Sequence, residues 1–427
     1  MRGEFPSKIL FLRRRKMKTI GIILLTFFCV FYYGLGLTYA QQEVKVGVLI
    51  PLSGGLAVIG ENLQMAHDFA VKEINEAGGI KSLNGAKIKL IYADTRGDSK
   101  IGMSEAERLI LREGVVAIVG AFQSSVSYTS TEVAEKYQVP YLVPNSLMDA
   151  ITERGFKYTF RVERKGSLWA KDQIDFIVDM GKATGKPAKT IGVAYESTDM
   201  GQAIAKGIRK WAPEKGLTIG LDEGYPPKTS DMMPVVLKMK RANLDVVILN
   251  SYTSDAILLI RTIADQRVNP IAFLGSSSGY SDPSFIKEVG KLAEYFFDLT
   301  EWTTDLKHSP LVQQKNAAYK KWNKDNRDFN GGAAFCYAST YILYEALEKA
   351  ASYDPKKIRD AFATIKITKG PAMMIPWTPI EFDAEGQAKD ARMLVVQYRD
   401  GQRRSVWPAE IASNKPVWPV PKWEERK

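Results

Sequence analysis

The sequence predicts an α/β protein built as two doubly wound lobes. Three observations carry this. The stretch from Gly47 to Gly79 reads as an apolar strand, a small-residue turn (Ser53-Gly54-Gly55) and an amphipathic helix that stops at Gly78-Gly79, the opening unit of an α/β fold. Strand and helix signals then alternate as far as about residue 299. The strands that look buried are continuous apolar runs, Val115-Val116-Ala117-Ile118-Val119 and Val246-Val247-Ile248-Leu249, as in parallel sheets covered on both faces.

Strands are expected at 44–50, 87–93, 115–119, 140–143 and 158–162, with helices near 61–77, 99–113 and 125–137 between them. In the first helix Leu63, Ala66, Ala70, Ile74 and Ala77 share one face, and Glu61, Lys72, Glu73 and Glu76 the other. A second series follows: helix 167–180, strand 190–194, helix 199–214, strand 217–223, helix 231–242, strand 246–250, helix 254–266, strand 271–274, helix 283–291 and strand 295–299. Residues 310–363 read as two or three helices. The chain then changes to short strands at 380–382, 393–398 and 405–407, and ends in a proline-rich tail that cannot continue a ladder. Two wound units in one chain suggest two lobes with a cleft between them. Ligands in such folds sit outside the carboxyl ends of the strands.

Composition excludes several classes. Net charge is +11, but residues 1–40 carry seven Lys/Arg and a single acid, leaving +5 for the remainder and no basic block there. That argues against a nucleic-acid partner. The basic cluster Arg13-Arg14-Arg15-Lys16 precedes an uncharged run, 19–40, ending Thr38-Tyr39-Ala40, which reads as a signal peptide over 1–40 cleaved after Ala40; an uncleaved anchor is the alternative, and translation from Met17 would give a more usual length. Cys29 follows Phe27-Phe28 rather than small residues, unlike a lipoprotein site. Beyond it only Cys336 remains, so neither an internal disulfide nor a cysteine metal cluster is expected, and Cys336 reads as a small buried hydrophobe. Two histidines 241 positions apart offer no metal-ligand spacing, and no cofactor is implied.

The segment PLSGGLAVIGENLQMAHDFAVKEINEAGGI, residues 51–80, closely resembles the start of the leucine/isoleucine/valine-binding type of periplasmic solute-binding protein, the receptor component of ABC importers. Four further stretches agree in order: Val119–Ser125 resembles the family's ligand loop, 152–161 its first crossing between lobes, 273–279 a loop of the second lobe, and Val406-Trp407-Pro408 with Val417-Trp418-Pro419 its tail. The resemblance spans about residues 44–420 and implies the type I periplasmic-binding fold, with three crossings near Val162, 299–300 and Pro379. Lobe 1 is then 43–161 plus 300–378, lobe 2 is 162–299 plus 380–410, and 411–427 is a tail. It implies a small-molecule ligand held in the cleft, and the membrane subunits of an importer as partner. Contact with a membrane comes only through the signal segment or that partner.

Candidate ligand residues follow. Ser124 and Ser125 open the helix after the 115–119 strand, where a hydroxyl either caps the helix or meets an anionic ligand oxygen. In the family the residue matching Ser124 binds the ligand carboxylate, and Gln123 precedes it. Asn145 and Leu147 fall where the family presents a carbonyl and a hydroxyl, and Leu147 has no hydroxyl to offer. Met200 stands where amino-acid binders carry a tyrosine, Ser277 where they carry an acid for the ammonium group, and Ile59 replaces an aromatic. Tyr252 matches an aromatic position; Tyr195 and Tyr252 read equally as core or pocket. With serine at 277 the ammonium anchor is missing unless Asp199 or Glu196 supplies it, so a small organic acid, amide or aromatic acid stands beside a branched-chain amino acid as ligand.

Two alternatives belong to other classes. A ligand-sensing receptor ectodomain uses the same fold, and differs by a transmembrane and signalling segment. Gly275-Ser276-Ser277-Ser278-Gly279 matches G-x-S-x-G, but a hydrolase elbow needs a helix at once, and Tyr280-Ser281-Asp282-Pro283 is read as a spacer. His67 reads as structural and His308 as an exposed loop residue, so no base is at hand and enzymatic activity is not expected.

Overall fold

The computed structural model describes residues 42–276 and 278–426. The expectations for the signal segment, Cys29 and Ser277 lie outside those residues. Of the rest, strands β1 (Glu43–Ile50), β2 (Lys87–Asp94), β3 (Ala117–Gly120), β4 (Tyr141–Val143) and β5 (Thr159–Arg161) form one parallel sheet in the order β2-β1-β3-β4-β5. Helices α1 (Ala57–Glu76), α2 (Ser99–Arg108) and α3 (Ser124–Tyr137) alternate with them. The second sheet has the order β12-β11-β10-β9-β8-β6-β7. Its strands are β6 (Thr190–Glu196), β7 (Thr218–Tyr225), β8 (Val246–Asn250), β9 (Ala272–Ser276), β10 (Phe297–Thr300), β11 (Leu394–Arg399) and β12 (Gln402–Trp407). β6 to β10 run parallel, and β11 and β12 add an antiparallel edge.

The helices of the second series are α4 (Gly166–Thr184), α5 (Asp199–Glu214), α6 (Met233–Ala242), α7 (Thr253–Asp265), the single turn α8 (Ser278–Ser281) and α9 (Pro283–Val289). Three more, α10 (Leu311–Trp322), α11 (Gly331–Ala350) and α12 (Pro355–Ala363), return to the first sheet. Each sheet is buried on both faces. Leu63, Phe69 and Ile74 of α1 and Tyr337 and Ile342 of α11 cover one face of the first sheet; Ala106, Val126 and Val133 cover the other. Ile174, Ile204 and Ile208 lie on one face of the second sheet, Val236, Leu259 and Ile260 on the opposite face. That two-sided burial explains why the central strands are apolar throughout rather than alternating.

Local chemistry sets the helix starts. Asp98, Thr198 and Asn330 each accept a first-turn N–H of the helix they precede. Asp94, at the end of β2, accepts the N–H groups of Leu52 and Ser53 and the Ser53 hydroxyl, pinning the turn after β1. Gly60 is required where α1 runs over that turn: a Cβ there would lie 1.9 Å from the Pro51 carbonyl oxygen.

Several expectations need correction. Ala77 is exposed, and Glu73 faces protein rather than water, paired with Lys315 at 2.8 Å and accepting from Tyr337 and Tyr341. Residues 380–382 make only isolated bridges to Ile367 and Ala388, because the chain is passing between the sheets there. The proline-rich tail, for its part, is packed: Trp418 and Val420 are buried in the second core, and the Val420 N–H donates to the Ile271 carbonyl. Among the described residues no helix is long and apolar enough to cross a membrane.

Candidate functional site

Each sheet has a switch point where its crossovers leave in opposite directions, between β1 and β3 in the first and β6 and β8 in the second. The segments after these strands end free of the sheet and form a crevice. Both switch points open onto one cleft. Ile59 follows β1, Phe122 and Ser124 follow β3, Met200 follows β6 and Tyr252 follows β8; all line the same inner cavity of about 50 Å³. Leu63, Asn145, Leu147, Glu163, Trp169, Asp282 and Glu301 complete most of its wall. It opens into a wider mouth of about 730 Å³ lined by Gln123, Ser125, Arg96, Glu196, Asp199, Lys228 and Asp255. The rings of Phe122 and Tyr252 meet across the cleft, 6.4 Å between centroids.

The Ser124 hydroxyl is the best-defined polar group. It does not cap α3; Gln123 is the N-cap residue and contributes no side-chain bond. Instead the Ser124 Oγ accepts the backbone N–H groups of Leu147 and Met148, each at 3.2 Å. A hydroxyl has two acceptor sites and one proton. With both acceptor sites taken, what Ser124 has left to offer is that proton, which suits a ligand oxygen. Helix starts reinforce this. Ser124 opens α3, Met200 is in the first turn of α5, Tyr252 precedes α7 and Gly332 lies in the first turn of α11, so four N-terminal ends with positive partial charge border the cavity.

The remaining candidates divide. Asn145 is fixed from two sides, donating to the Gly332 carbonyl at 3.3 Å and accepting from the Cys336 thiol at 3.2 Å. Cys336 is thus buried, as expected, but also polar in use. The Leu147 N–H is spent on Ser124, and its side chain is apolar wall. Tyr252 is half-buried, and its N–H donates to Glu196 at 3.1 Å. Tyr195 does not reach the cavity. It packs in the second core, and its hydroxyl accepts from Arg209 at 2.8 Å. Asp199 and Glu196 stand in the mouth, not in the inner cavity. Burial, with the neighbouring Asp255 adding to it, pushes Glu196 up to about 7, so near neutral pH it holds a proton part of the time.

Sequence reasoning missed the cavity's carboxylates, Glu163, Glu301 and Asp282, and the aromatics Phe122 and Trp169. Asp282 is spent capping α9 through the Ser284 N–H at 2.8 Å. Glu163 follows β5 by two residues and Glu301 follows β10 directly; both stand beside the crossing points the resemblance indicated, which was the one available signal. Beside them Arg161 is fully buried. Its guanidinium donates to the Gln387 Oε1, the Ser146 and Met148 carbonyls and the Thr152 hydroxyl, and burial lowers it to about 10, still cationic at neutral pH.

The hydrolase alternative is recast by the fold. A helical turn, α8, does begin at once after residue 277, contrary to the spacer read from sequence. Neither histidine lines the cleft: His67 is buried in the first core against Thr340 at 2.8 Å, and His308 is partly buried rather than exposed, its ring nitrogens sealed from water and its basicity lowered by burial. Among the described residues no group of three His, Cys, Asp or Glu is placed to hold a metal.

Two wound lobes with a cleft at paired switch points define a two-lobed ligand-binding protein. The family profile of periplasmic binding proteins matches residues 43–403, and the chain belongs to that family. It is similar to "Leu/Ile/Val-binding protein homolog 7" of Brucella suis, 31% identical over 388 residues that make up 88% of this chain and 94% of the relative. Among solved structures it resembles the branched-chain amino acid transporter substrate-binding protein LivJ of Streptococcus pneumoniae in complex with isoleucine. There the TM-score is 0.75 at 22% identity, covering 86% of this chain and 99% of the other. A solute-binding protein of R. palustris in complex with benzoate superposes with a TM-score of 0.73 at 16% identity, over 89% and 97% of the two chains.

Proposed function

We propose that this chain is the exported solute-binding component of an ABC importer of the branched-chain amino acid type. It captures a small molecule bearing a carboxylate in the inner cavity and presents the closed form to the importer's membrane subunits. The observation that carries the reading is the Ser124 hydroxyl, its acceptor sites filled and its proton left over, set at a helix start in a cavity walled from both sheets. Ile59, Leu63, Leu147, Trp169 and Met200 supply an apolar wall for a hydrophobic side chain or ring. Binding is non-covalent throughout. Lobe 1 comprises 43–161 and 300–378, lobe 2 comprises 162–299 and 380–410, and closure occurs about the crossings between them. Residues 1–40 direct export, giving a mature chain that starts at Gln41.

The test is a thermal-shift and calorimetric panel of leucine, isoleucine, valine, benzoate, 4-methylpentanoate and small primary amides. A ligand present at 100 times its dissociation constant stabilises the fold by about 2.7 kcal/mol. Saturable binding of at least one carboxylate, lost in a variant with the cavity filled, is the expected result. Failure of every carboxylate to shift the melting temperature defeats the reading.

A further inference from the structure

Arg161 is a buried cation whose hydrogen-bond acceptors are all uncharged. They are Gln387 Oε1 at 2.7 Å, the Thr152 hydroxyl at 3.0 Å, and the carbonyls of Ser146 and Met148 at 3.2 and 2.6 Å. Asp149, Glu153, Glu163 and Asp383 favour its charge, but among the described residues none of them forms an ion pair with it. Such a charge is costly to desolvate and calls for a compensating anion.

The acceptors show where that charge is passed. The Ser146 carbonyl belongs to the peptide group whose N–H, that of Leu147, donates to Ser124 Oγ at 3.2 Å. Arg161 therefore polarises that peptide, and the peptide polarises the hydroxyl. The next peptide does likewise from another source. Its carbonyl, that of Leu147, accepts the Gly166 N–H at 2.7 Å, and its N–H, that of Met148, donates to the same serine oxygen at 3.2 Å. Gly166 opens α4, an end that carries positive partial charge. A Cβ at Gly166 would stand 3.0 Å from the Leu147 carbonyl oxygen and 3.0 Å from the Ala203 Cβ, so glycine lets this bond form unhindered. Bonds linked in such chains strengthen one another, and in a buried setting they are weakly screened. Two chains of hydrogen bonds, one from a guanidinium and one from a helix start, thus end on one serine oxygen.

We propose that Arg161 is a positioning residue that acts through the Ser146–Leu147 peptide, making the Ser124 hydroxyl a donor that prefers an anionic ligand oxygen to a neutral one. The compensating negative charge is that of the bound ligand. Arg161 does not line the cavity, so the guanidinium senses this charge without contact, through two hydrogen bonds and a peptide. This inference rests on the cleft reading above and narrows it: the site reads the charge of the ligand's acid group as well as the shape of its oxygen.

The test compares each acid with its primary amide, which offers Ser124 an oxygen of similar shape without the charge: 4-methylpentanoate against 4-methylpentanamide, and benzoate against benzamide. Affinities are measured by calorimetry on the whole mature protein near neutral pH. The unaltered protein should prefer the acid by about 10-fold or more. Arg161→Gln, which keeps a donor and loses the charge, should weaken the acid by about 10-fold and the amide by less than about threefold. Arg161→Lys, which keeps the charge, should retain most of the preference. A merely structural role would move acid and amide together. Should the variants fail to fold, the amide protons of Leu147 and Met148 in the unaltered protein decide. Their resonances should move downfield with the acid and by much less with the amide, since a hydroxyl that donates to an anion accepts more strongly. Acid and amide bound equally, lost equally in Arg161→Gln, or shifting these protons equally overturns this inference and leaves the cleft reading intact. Failure of every acid to bind overturns both.

Discussion

Replacing Ser124 with alanine should produce two separable losses, because one oxygen does two jobs. Without ligand, Ser124 Oγ accepts the Leu147 and Met148 N–H groups, and Leu147 is only 4% exposed. Each such bond is worth about 0.5–1.5 kcal/mol net, and a buried donor left unpaired costs about 1–3 kcal/mol. The ligand-free protein should therefore lose about 1–3 kcal/mol of unfolding free energy, read from urea denaturation at constant slope. Toward ligand, the serine proton meets a carboxylate, a charge-assisted bond worth about 1.5–3 kcal/mol, or roughly 10- to 150-fold in affinity by calorimetry. The second loss should exceed the first only for ligands that carry the carboxylate. Should the Ser124→Ala protein match the unaltered one in urea and still bind leucine or 4-methylpentanoate within threefold, the geometry assigned to this oxygen is wrong.

Three more outcomes follow from the packing. Gly332→Ala should keep or slightly raise stability, since its Cβ meets Leu63 and Asn145 only at 3.4 and 3.5 Å, yet cut ligand affinity by about 10-fold by narrowing the cavity; Gly331→Ala, driven against Glu301, should lose about 1–3 kcal/mol. Arg161→Met should destabilise by about 3–5 kcal/mol in urea, because the Gln387 side chain and two carbonyls lose their donor, and a loss under about 1 kcal/mol would contradict that account. Thr340 donates its own proton to the Cys336 carbonyl, so His67 must donate from Nδ1 and bury a bare Nε2, which holds it down to about 3. A lowered folded value gives stability that is present above about 6.5 and lost on acidification. The deficit is about 2 kcal/mol by pH 5, and His67→Gln should remove it from the stability–pH curve. Asp298 and Glu196, both raised to about 7, act with the opposite sign, losing stability as pH rises toward 7, so only the difference between the two curves isolates His67.

The sequence by itself determined the class of fold and most of its elements. β8 and α5 fall on their expected bounds, Val246–Asn250 and Asp199–Glu214, because a continuous apolar run and an amphipathic period are local signals. The turn after β1 and the start of α3 also carry the family resemblance, which implies Ile59, Gln123, Ser124 and Ser125 as candidates, and all four border the cleft. What only the tertiary structure decided depends on partners far along the chain. The Ser124 oxygen is committed by a loop 23 residues on, and Asn145 is held by α11, 187 residues away. Tyr195 reads as well for a pocket as for a core, and only its place behind Arg209 settles it. Glu163 and Glu301 carry no local motif at all. They border one cavity because the chain crosses between the sheets at both points, and burial at a crossing is a property of the assembled fold, not of any short stretch of it.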